Sequence, residues 1–207
     1  MEPSTIISMI SLLVAIATFF LVQIRPARIT SCLGPNVNFG YRATDGGLSI
    51  TVPVTFTNHG SRPGVVLRSA ITLWRKEWLE ERYFMKWHSF VKEDHKTFQY
   101  VTDERAHALA IPGKSIVAKV ITYPWPADSK PIDFRHATYC LAFLYWTNEG
   151  KPHHELHDIS ITSDMVDTLV APFDSTHNRA VDVPLDKKYK DNEIKNTFGF
   201  KNLLKGK

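Results

Sequence analysis

The first hydrophobic pattern along the chain is an uncharged stretch from Thr5 to Ile24. Twenty helical residues rise about 30 Å, which is the thickness of the hydrocarbon core of a bilayer. Arg25 and Pro26 end the stretch abruptly. The pattern therefore predicts one membrane-spanning helix over residues 5–24, preceded by a short tail over residues 1–4. The apolar residues expected to form the anchor are Ile6, Ile7, Ile10, Leu12, Leu13, Val14, Phe19, Phe20, Leu21 and Ile24.

Three other interpretations of this stretch stay open. A core helix of a soluble domain has a similar composition, although such a helix seldom runs so long without a charge. A cleaved signal peptide normally begins with basic residues, whereas Met1–Ser4 contains none. Ile29–Cys32 resembles a degenerate bacterial lipobox, but Arg25–Arg28 separates it from the apolar stretch. A retained anchor fits the pattern better than any of these.

The next pattern is an alternation of apolar and polar residues with a period of two. Apolar residues occupy every second position from Leu48 to Phe56, which predicts a half-buried strand. Turn-forming residues fill 58–64, and a second strand is predicted from Val65 to Trp74. Thr138–Trp146 is apolar on both faces, which is typical of a central strand.

Weaker patterns of the same kind complete the predicted fold. Further strands are predicted at 36–42, 115–123 and 155–162, and Ser163 with Asp164 can cap a short helix through Leu169. About six or seven short strands without alternating helices favour a mainly β fold, an antiparallel β-sandwich. We expect this domain to cover residues 36–172 and a linker over residues 25–35 to join it to the helix.

The segment near 75–100 is the least regular part of the domain. Aromatic residues at Trp78, Tyr83, Trp87 and Phe90 recur at helical spacing, although a strand face also accommodates them. The spacing slightly favours an amphipathic helix or a long irregular connection. Trp is enriched at binding hot spots and membrane interfaces, so Trp78 and Trp87 are candidate partner or membrane contacts. Burial in the core is the simpler alternative.

Composition and charge narrow the function classes. The chain has 207 residues, a 43% apolar share and a net charge of +4, and basic and acidic residues interleave through its body. A nucleic-acid binder usually concentrates basic residues in one stripe, so we expect no nucleic-acid partner. Two cysteines are too few for a small secreted disulfide scaffold.

Flanking charge predicts the orientation of the anchor. Arg25 and Arg28 follow the apolar stretch, and no Lys or Arg precedes it. The one apolar stretch predicts a single-pass membrane protein. Basic residues favour the cytoplasmic side of a membrane, so the residues after the stretch are predicted to lie in the cytoplasm. The N-terminus would lie outside and the C-terminal domain in the cytoplasm, with the lipid bilayer as one partner.

The last part of the chain, over residues 173–207, is predicted to be a basic polar tail. From Lys187 onward it carries a net charge of +5, seven lysines against Asp191 and Glu193. Basic residues near a cytoplasmic membrane face are drawn to anionic lipids. Lys187, Lys188 and Lys190 are therefore candidate membrane or partner contacts, and a solvated tail is the alternative.

Candidate chemistry is confined to one histidine-rich turn. His153, Glu155 and His157 alternate, so on a strand they share one face and offer three side chains of the kind that bind zinc. A polar hairpin without metal is the alternative. None of the common catalytic or nucleotide-binding motifs occurs. We therefore expect no cofactor and no catalytic residue.

Two turn motifs carry a resemblance to a known group. Phe56–Pro63, followed by Val65–Leu73, resembles the region between the B and C strands of immunoglobulin-like domains in bacterial single-pass membrane proteins. Ala110–Ser115 resembles a later Pro-Gly turn of the same domains. The resemblance implies an immunoglobulin-like β-sandwich behind one N-terminal transmembrane helix. It carries over no functional residue.

Together these observations predict a membrane-tethered, non-enzymatic protein-interaction or scaffold module that binds a protein partner at the inner membrane face. Two alternatives stay open. The first is a metal-dependent enzyme or sensor that uses the turn with His153 and His157. The second is an accessory subunit of a membrane complex, whose anchor pairs with other helices.

Overall fold

A computed structural model describes residues 2–41, 47–78, 81–94, 99–148, 150, 152–170 and 180–189. This part of the chain forms two helices and twelve strands. In chain order they are α1 (Pro3–Gln23), β1 (Ile29–Leu33), β2 (Asn36–Tyr41), β3 (Leu48–Asn58), β4 (Gly64–Arg75), β5 (Arg82–Lys86), β6 (Ser89–Asp94), β7 (Gln99–Arg105), β8 (Leu109–Ile111), β9 (Ile116–Pro124), β10 (Ala137–Thr147), β11 (Pro152–Ile161), α2 (Ser163–Val170) and β12 (Ala180–Lys188).

Helix α1 is continuous and apolar, and none of the residues from Pro3 to Phe20 is buried against the rest of the molecule. Pro3 lies in the first turn, where its missing N–H costs nothing. The Ser8 hydroxyl donates to the Ser4 carbonyl (3.0 Å), so it is satisfied within the helix. By length and composition α1 could cross a membrane, and a signal sequence near an N-terminus has the same properties.

The strands form one antiparallel sheet, and the predicted mainly β class is confirmed. Their order is β5-β4-β10-β11-β12-β2-β3-β9-β6-β7, with β1 paired to β3 and β8 paired to β4. The period-two pattern of β3 places Leu48, Ile50 and Phe56 in the core. Strand β10 lies between β4 and β11 in the sheet, and both of its faces are buried, as its two-sided apolar pattern predicts.

The sheet curls so that its two halves share one core. Phe56 of β3 packs against Phe143 and Tyr145 of β10, with ring centroids 6.3 and 5.6 Å apart, although these strands are not hydrogen-bonded to each other. Ser69 of β4 and Tyr123 of β9 share a buried hydrogen bond of 2.7 Å. The core therefore lies between β3 and β9 on one side and β4 and β10 on the other.

Three predicted segments differ from the structure. The segment near 75–100 is not helical where it is described: it forms β5, β6 and the start of β7. Tyr83 and Met85 are buried and Phe84 and Lys86 are exposed, so the period of two, and not the helical spacing of the aromatic residues, decides this segment. The expected linker over residues 25–35 contains β1, which pairs with β3.

The third difference concerns the predicted tail. Ala180–Lys188 is strand β12, which pairs with β11 on one side and with β2 on the other and so joins the two halves of the sheet. Alternating Val181, Val183 and Leu185 supply its apolar face, and Val183 is fully buried. Residues 171–179 and 190–207, including Lys190, lie outside the described residues.

The short connector Arg25–Arg28 between α1 and β1 is bound to the body of the molecule. The amides of Ser61 and Arg62 both donate to the Arg25 carbonyl (3.1 Å each), and the Ser61 hydroxyl donates to the carbonyl of Val22 in α1. A side chain at Gly60 would overlap the carbonyl of Pro26. The connector and the turn between β3 and β4 therefore meet backbone to backbone.

Asn58, the last residue of β3, holds this arrangement together from inside. Its Oδ1 accepts the amides of Arg28 (3.1 Å) in the connector and of Gly60 (2.9 Å) in the turn. Its Nδ2, with two hydrogens to donate, lies within hydrogen-bond distance of three carbonyls, those of Arg62 (2.9 Å), Ile111 (3.2 Å) and Pro112 (3.2 Å). Only 1% of Asn58 is exposed. One buried amide thus joins the connector, the turn at 58–64 and the turn at 112–115. We call these three segments together the junction end.

We expect Asn58→Ala to lower the free energy of unfolding of the full chain by about 2–4 kcal/mol, because buried amides and carbonyls lose their partner. Urea unfolding in detergent, followed by tryptophan fluorescence, measures this loss. Asn38→Ala is the matched control, since the Asn38 side chain makes one surface hydrogen bond, to Asp182 (2.9 Å). That control should cost less than about 0.5 kcal/mol. Equal losses in the two variants would contradict the role of Asn58.

Candidate functional site

An open groove lies at the end of the body opposite α1. It is lined by Arg75, Trp78, Glu81, Lys130, Asp133 and Arg135. Strand β4 runs from the junction end, where a side chain at Gly64 would meet Ala27, to Arg75 at the groove. Twelve strand residues at about 3.3 Å each place the groove roughly 35 Å from the junction end. We call it the distal groove.

Strand ends and one tryptophan position the walls of the distal groove. The segment between β9 and β10 forms one wall, and Trp125 fixes it by packing edge-on against Tyr83 with ring centroids 5.4 Å apart. The Trp125 indole also donates to the Lys130 carbonyl (2.9 Å). The other wall is the turn after β4, where the Trp78 amide donates to the Arg75 carbonyl (3.0 Å).

Basic and acidic side chains both line the distal groove, and they form ion pairs with each other. Lys130 Nζ lies 2.6 Å from Glu81 Oε1, and this hydrogen bond lowers the pKa of the Glu81 carboxyl. Arg135 binds Asp133 at 2.8 Å. These pairs are exposed to solvent, so they contribute little to stability. The side chains of both pairs are accessible to a charged partner, because none of the four is buried and water screens the ion pairs.

Trp78 and Trp87, predicted together as candidate contacts, occupy different environments. Trp78 is 54% exposed, and the Arg75 guanidinium lies over its ring at 4.9 Å from the centroid. Trp87 is partly buried and packs edge-on against Phe90, with ring centroids 5.7 Å apart. Trp87 is thus part of the core packing, and Trp78 presents its ring to the groove.

The histidine-rich turn does not bring its three side chains to one point. Glu155 and His157 lie 3.5 Å apart, whereas His153 stacks on Tyr145, with ring centroids 4.9 Å apart. Within the described ranges no group of three His, Cys, Asp or Glu side chains is placed to hold a metal ion. The structure therefore uses His153 for packing and Glu155 for an ion pair.

The buried Glu155 carboxylate forms an ion pair with the exposed Lys188 side chain, which connects β11 to β12. Its carboxylate lies 2.5 Å from Lys188 Nζ, accepts a hydrogen bond from the Ser31 hydroxyl and lies 3.5 Å from the His157 ring. Only 7% of the Glu155 side chain is exposed. Burial alone would raise the pKa of this carboxyl, but the hydrogen bonds from His157, Lys188 and Ser31 outweigh it and lower the pKa.

A second polar cluster lies on the other face of β11. Lys76 Nζ binds Asp158 and the Tyr189 hydroxyl, each at 2.7 Å, and that hydroxyl also donates to Asp158 (2.7 Å). These hydrogen bonds raise the pKa of Lys76. Burial, with help from Asp158, raises the pKa of the Cys140 thiol to about 12. Cys140 is therefore a poor nucleophile at neutral pH.

The two described lysines of the predicted basic tail take structural positions. Lys188 is paired with Glu155, and Lys187 Nζ lies 4.5 Å from the ring centroid of Tyr189. Sequence reasoning could not foresee these contacts, because they need β12 to pair beside β11. It also missed Asn58, for which the one available signal was an Asn at a strand end ahead of a glycine-rich turn.

Comparison with known proteins adds little. No protein-family model matches the chain, and no curated protein matches it significantly. Several chains of solved structures are similar in part. The ApaA protein of Bordetella pertussis is 13% identical over 63% of this chain and 88% of its own, with a TM-score of 0.31. The sporulation control protein Spo0M of Bacillus subtilis is 12% identical over 66% of this chain and 49% of its own, with a TM-score of 0.32. Similarity at this level supports no inference.

Removal of the Glu155 charge should change how stability depends on pH. Because the folded-state pKa of Glu155 lies below its usual value near 4.5, ionisation stabilises the fold above that pH. This contribution is lost as the pH falls through the folded-state pKa. We expect Glu155→Gln to cost about 1–3 kcal/mol at pH 7 and much less at pH 3. Urea unfolding across this range measures the difference.

Asp103→Asn is the matched control for this experiment, since Asp103 forms an exposed pair with Lys92 (2.8 Å). Its pKa is also lowered, by the hydrogen bond and charge of Lys92. Solvent screens this pair, so the control should show a smaller change with pH. If Glu155→Gln lost no more stability at pH 7 than at pH 3, the lowered pKa would be wrong.

Proposed function

We propose that the chain is a membrane-tethered, non-enzymatic interaction module that binds a protein partner through the distal groove. Three features support this function. Helix α1 has the length and composition of a membrane span. The connector Arg25–Arg28 is hydrogen-bonded to the body, so an anchored helix would hold the body in a set orientation. The groove lies at the far end, where a partner has access to it.

The exposure of Trp78 in the distal groove is the main support for the proposal. Trp78 is the more exposed of the two tryptophans considered, it lies under an arginine, and it is set in an open groove with paired charges. Trp and Arg are the residue types most enriched where single side chains dominate protein binding. A partner that fits this groove would supply an apolar surface for the ring and charges of both signs around it.

An enzymatic function has less support from the described residues. The buried carboxylate Glu155 and the Lys76 ammonium each bind an oppositely charged group within the fold. Catalytic acids and bases are usually found together in an enclosed pocket with their reacting atoms free. The distal groove instead is open, and its titratable groups form ordinary exposed pairs.

The finer fold assignment is part of the same proposal. We assign an immunoglobulin-like arrangement, supported by the order β1-β3-β9-β6 on one side of the core and β5-β4-β10-β11 on the other. In immunoglobulin domains the strands A, B, E and D form one sheet, and C, F and G form the second. Strand β12, which joins the two sides, is an addition to that pattern.

Photo-crosslinking tests the groove. We expect p-benzoylphenylalanine in place of Trp78 to give a protein adduct of one discrete mass in membranes, because the ring faces the partner. Leu67 is the matched control position: it lies on β4, the strand that leads to the groove, but near the junction end, and it is 49% exposed. Trp78→Ala should weaken the complex on native gels and leave the thermal midpoint unchanged. Equal adducts at 67 and 78, or none at 78, would contradict the proposal.

Thiol labelling tests the orientation. Arg25 and Arg28 support a cytoplasmic body, and Cys32 is exposed while Cys140 is buried. We expect a membrane-impermeant maleimide to leave Cys32 unmodified in intact cells and to modify it after permeabilisation. Cys140 should react only after denaturation, because its pKa is raised to about 12. Cys32→Ser identifies the signal. Labelling of Cys32 in intact cells would place the body outside the cytoplasm.

A further inference from the structure

The junction end has an unusual charge composition. Its exposed basic side chains are Arg25 and Arg28 in the connector, Arg62 in the turn at 58–64 and Lys114 in the turn at 112–115. No Asp or Glu occurs in residues 25–31, 58–64 or 112–117. None of the four basic residues forms an ion pair within the described part of the chain. Elsewhere the described lysines of the body commonly pair with acids, as Lys92 and Lys119 do.

The backbone holds these charges beside the exit of α1. The Lys114 amide donates to the Gly60 carbonyl (2.8 Å), and the Ser61 and Arg62 amides donate to Arg25. A side chain at Gly113 would overlap the Ser61 carbonyl, so the two turns are in contact. Four connector residues span at most about 14 Å. The charges at 62 and 114 therefore lie close to the point where the apolar helix ends.

An apolar side chain accompanies the basic ones. Ile116, two residues after Lys114, is 68% exposed, the largest exposed fraction among the large hydrophobic residues of the described chain. A surface that combines basic residues with an exposed apolar side chain is typical of protein segments at the boundary between headgroups and acyl chains. Two turns and the connector present this combination on one end of the body.

We infer that the junction end binds the headgroups of acidic phospholipids, with Arg62 and Lys114 reaching phosphates beside the anchor and Ile116 entering the interface. This inference rests on the proposed function, because it requires α1 to lie in a bilayer. Its content is separate, however. It assigns headgroup binding to two turns of the body that are far from the anchor in sequence. Anchoring alone does not require such binding.

Hydrogen exchange of the full chain in lipid nanodiscs tests the inference. One set of discs contains phosphatidylcholine alone, and the other contains one part phosphatidylglycerol to two parts phosphatidylcholine. We expect the amides of residues 58–64 and 112–116 to exchange about fivefold to tenfold more slowly in the acidic discs, because headgroup binding suppresses local opening. Salt at 0.5 M should reduce this protection, since it screens the charges.

Matched variants separate the junction end from total charge. The double variant Arg62→Gln, Lys114→Gln should lose the added protection in acidic discs, and Arg62→Lys should keep it. The control double variant Lys86→Gln, Arg105→Gln removes the same charge from exposed residues that lie about 20 Å from the junction end along the strands. This variant should keep the protection. Loss of protection in both double variants would show a general charge effect and would overturn the inference.

The remaining outcomes also decide the matter. If the native chain enters both kinds of disc and exchanges equally in them, the headgroup inference is wrong while the anchoring stands. If the chain enters neither, the anchoring is wrong and the inference falls with it. If inorganic phosphate added to neutral discs gives the same protection, the junction end binds free anions and not a lipid surface.

Discussion

The buried side-chain amide of Asn58 is the interaction on which the rest of the arrangement depends. Its oxygen holds the connector and the turn after β3, and its nitrogen holds the turn after β8. Because Asn58 is 1% exposed, its loss would leave backbone amides and carbonyls without this partner, at a total cost of about 2–4 kcal/mol. The end of α1, the start of β4 and the start of β9 are therefore positioned together by one side chain.

The distribution of ion pairs explains why the basic composition of the chain is a poor guide to its surfaces. Lys188 and Lys76 supply the opposite charge to two carboxylates of β11, Glu155 and Asp158, that are largely buried. Lys119 and Lys130 form exposed pairs. The basic residues without an acidic partner in the described chain include Arg62 and Lys114. They contribute little to the net charge, and only the fold, which brings their two turns into contact, shows that they belong to one surface.

Elements whose own residues carry the signal were predictable, and elements that depend on distant partners were not. β3 and β10 are evident from alternation and from two-sided apolarity, and α1 is evident from its length. β12 was missed because its short apolar alternation is surrounded by charge, and it becomes a strand by filling the space between β11 and β2. Trp78 and Trp87 could not be told apart, since their spacing fits either period and only the β5 and β6 pairings decide which ring faces the core.

The length of β4 connects the two proposed surfaces and limits what each can bind. If the junction end lies at the headgroups and β4 runs along the membrane normal, the distal groove would lie roughly 35 Å farther from the hydrocarbon, several Debye lengths away at physiological salt. Trp78 at that distance cannot reach the bilayer, and the field of the lipid charges does not extend to Arg75 or Arg135. On the proposed function, a partner in the groove would be a protein that extends well beyond the membrane surface, and its affinity would not depend on lipid charge. The two proposed surfaces would then be independent in their electrostatics and connected through β4, which spans Gly64–Arg75.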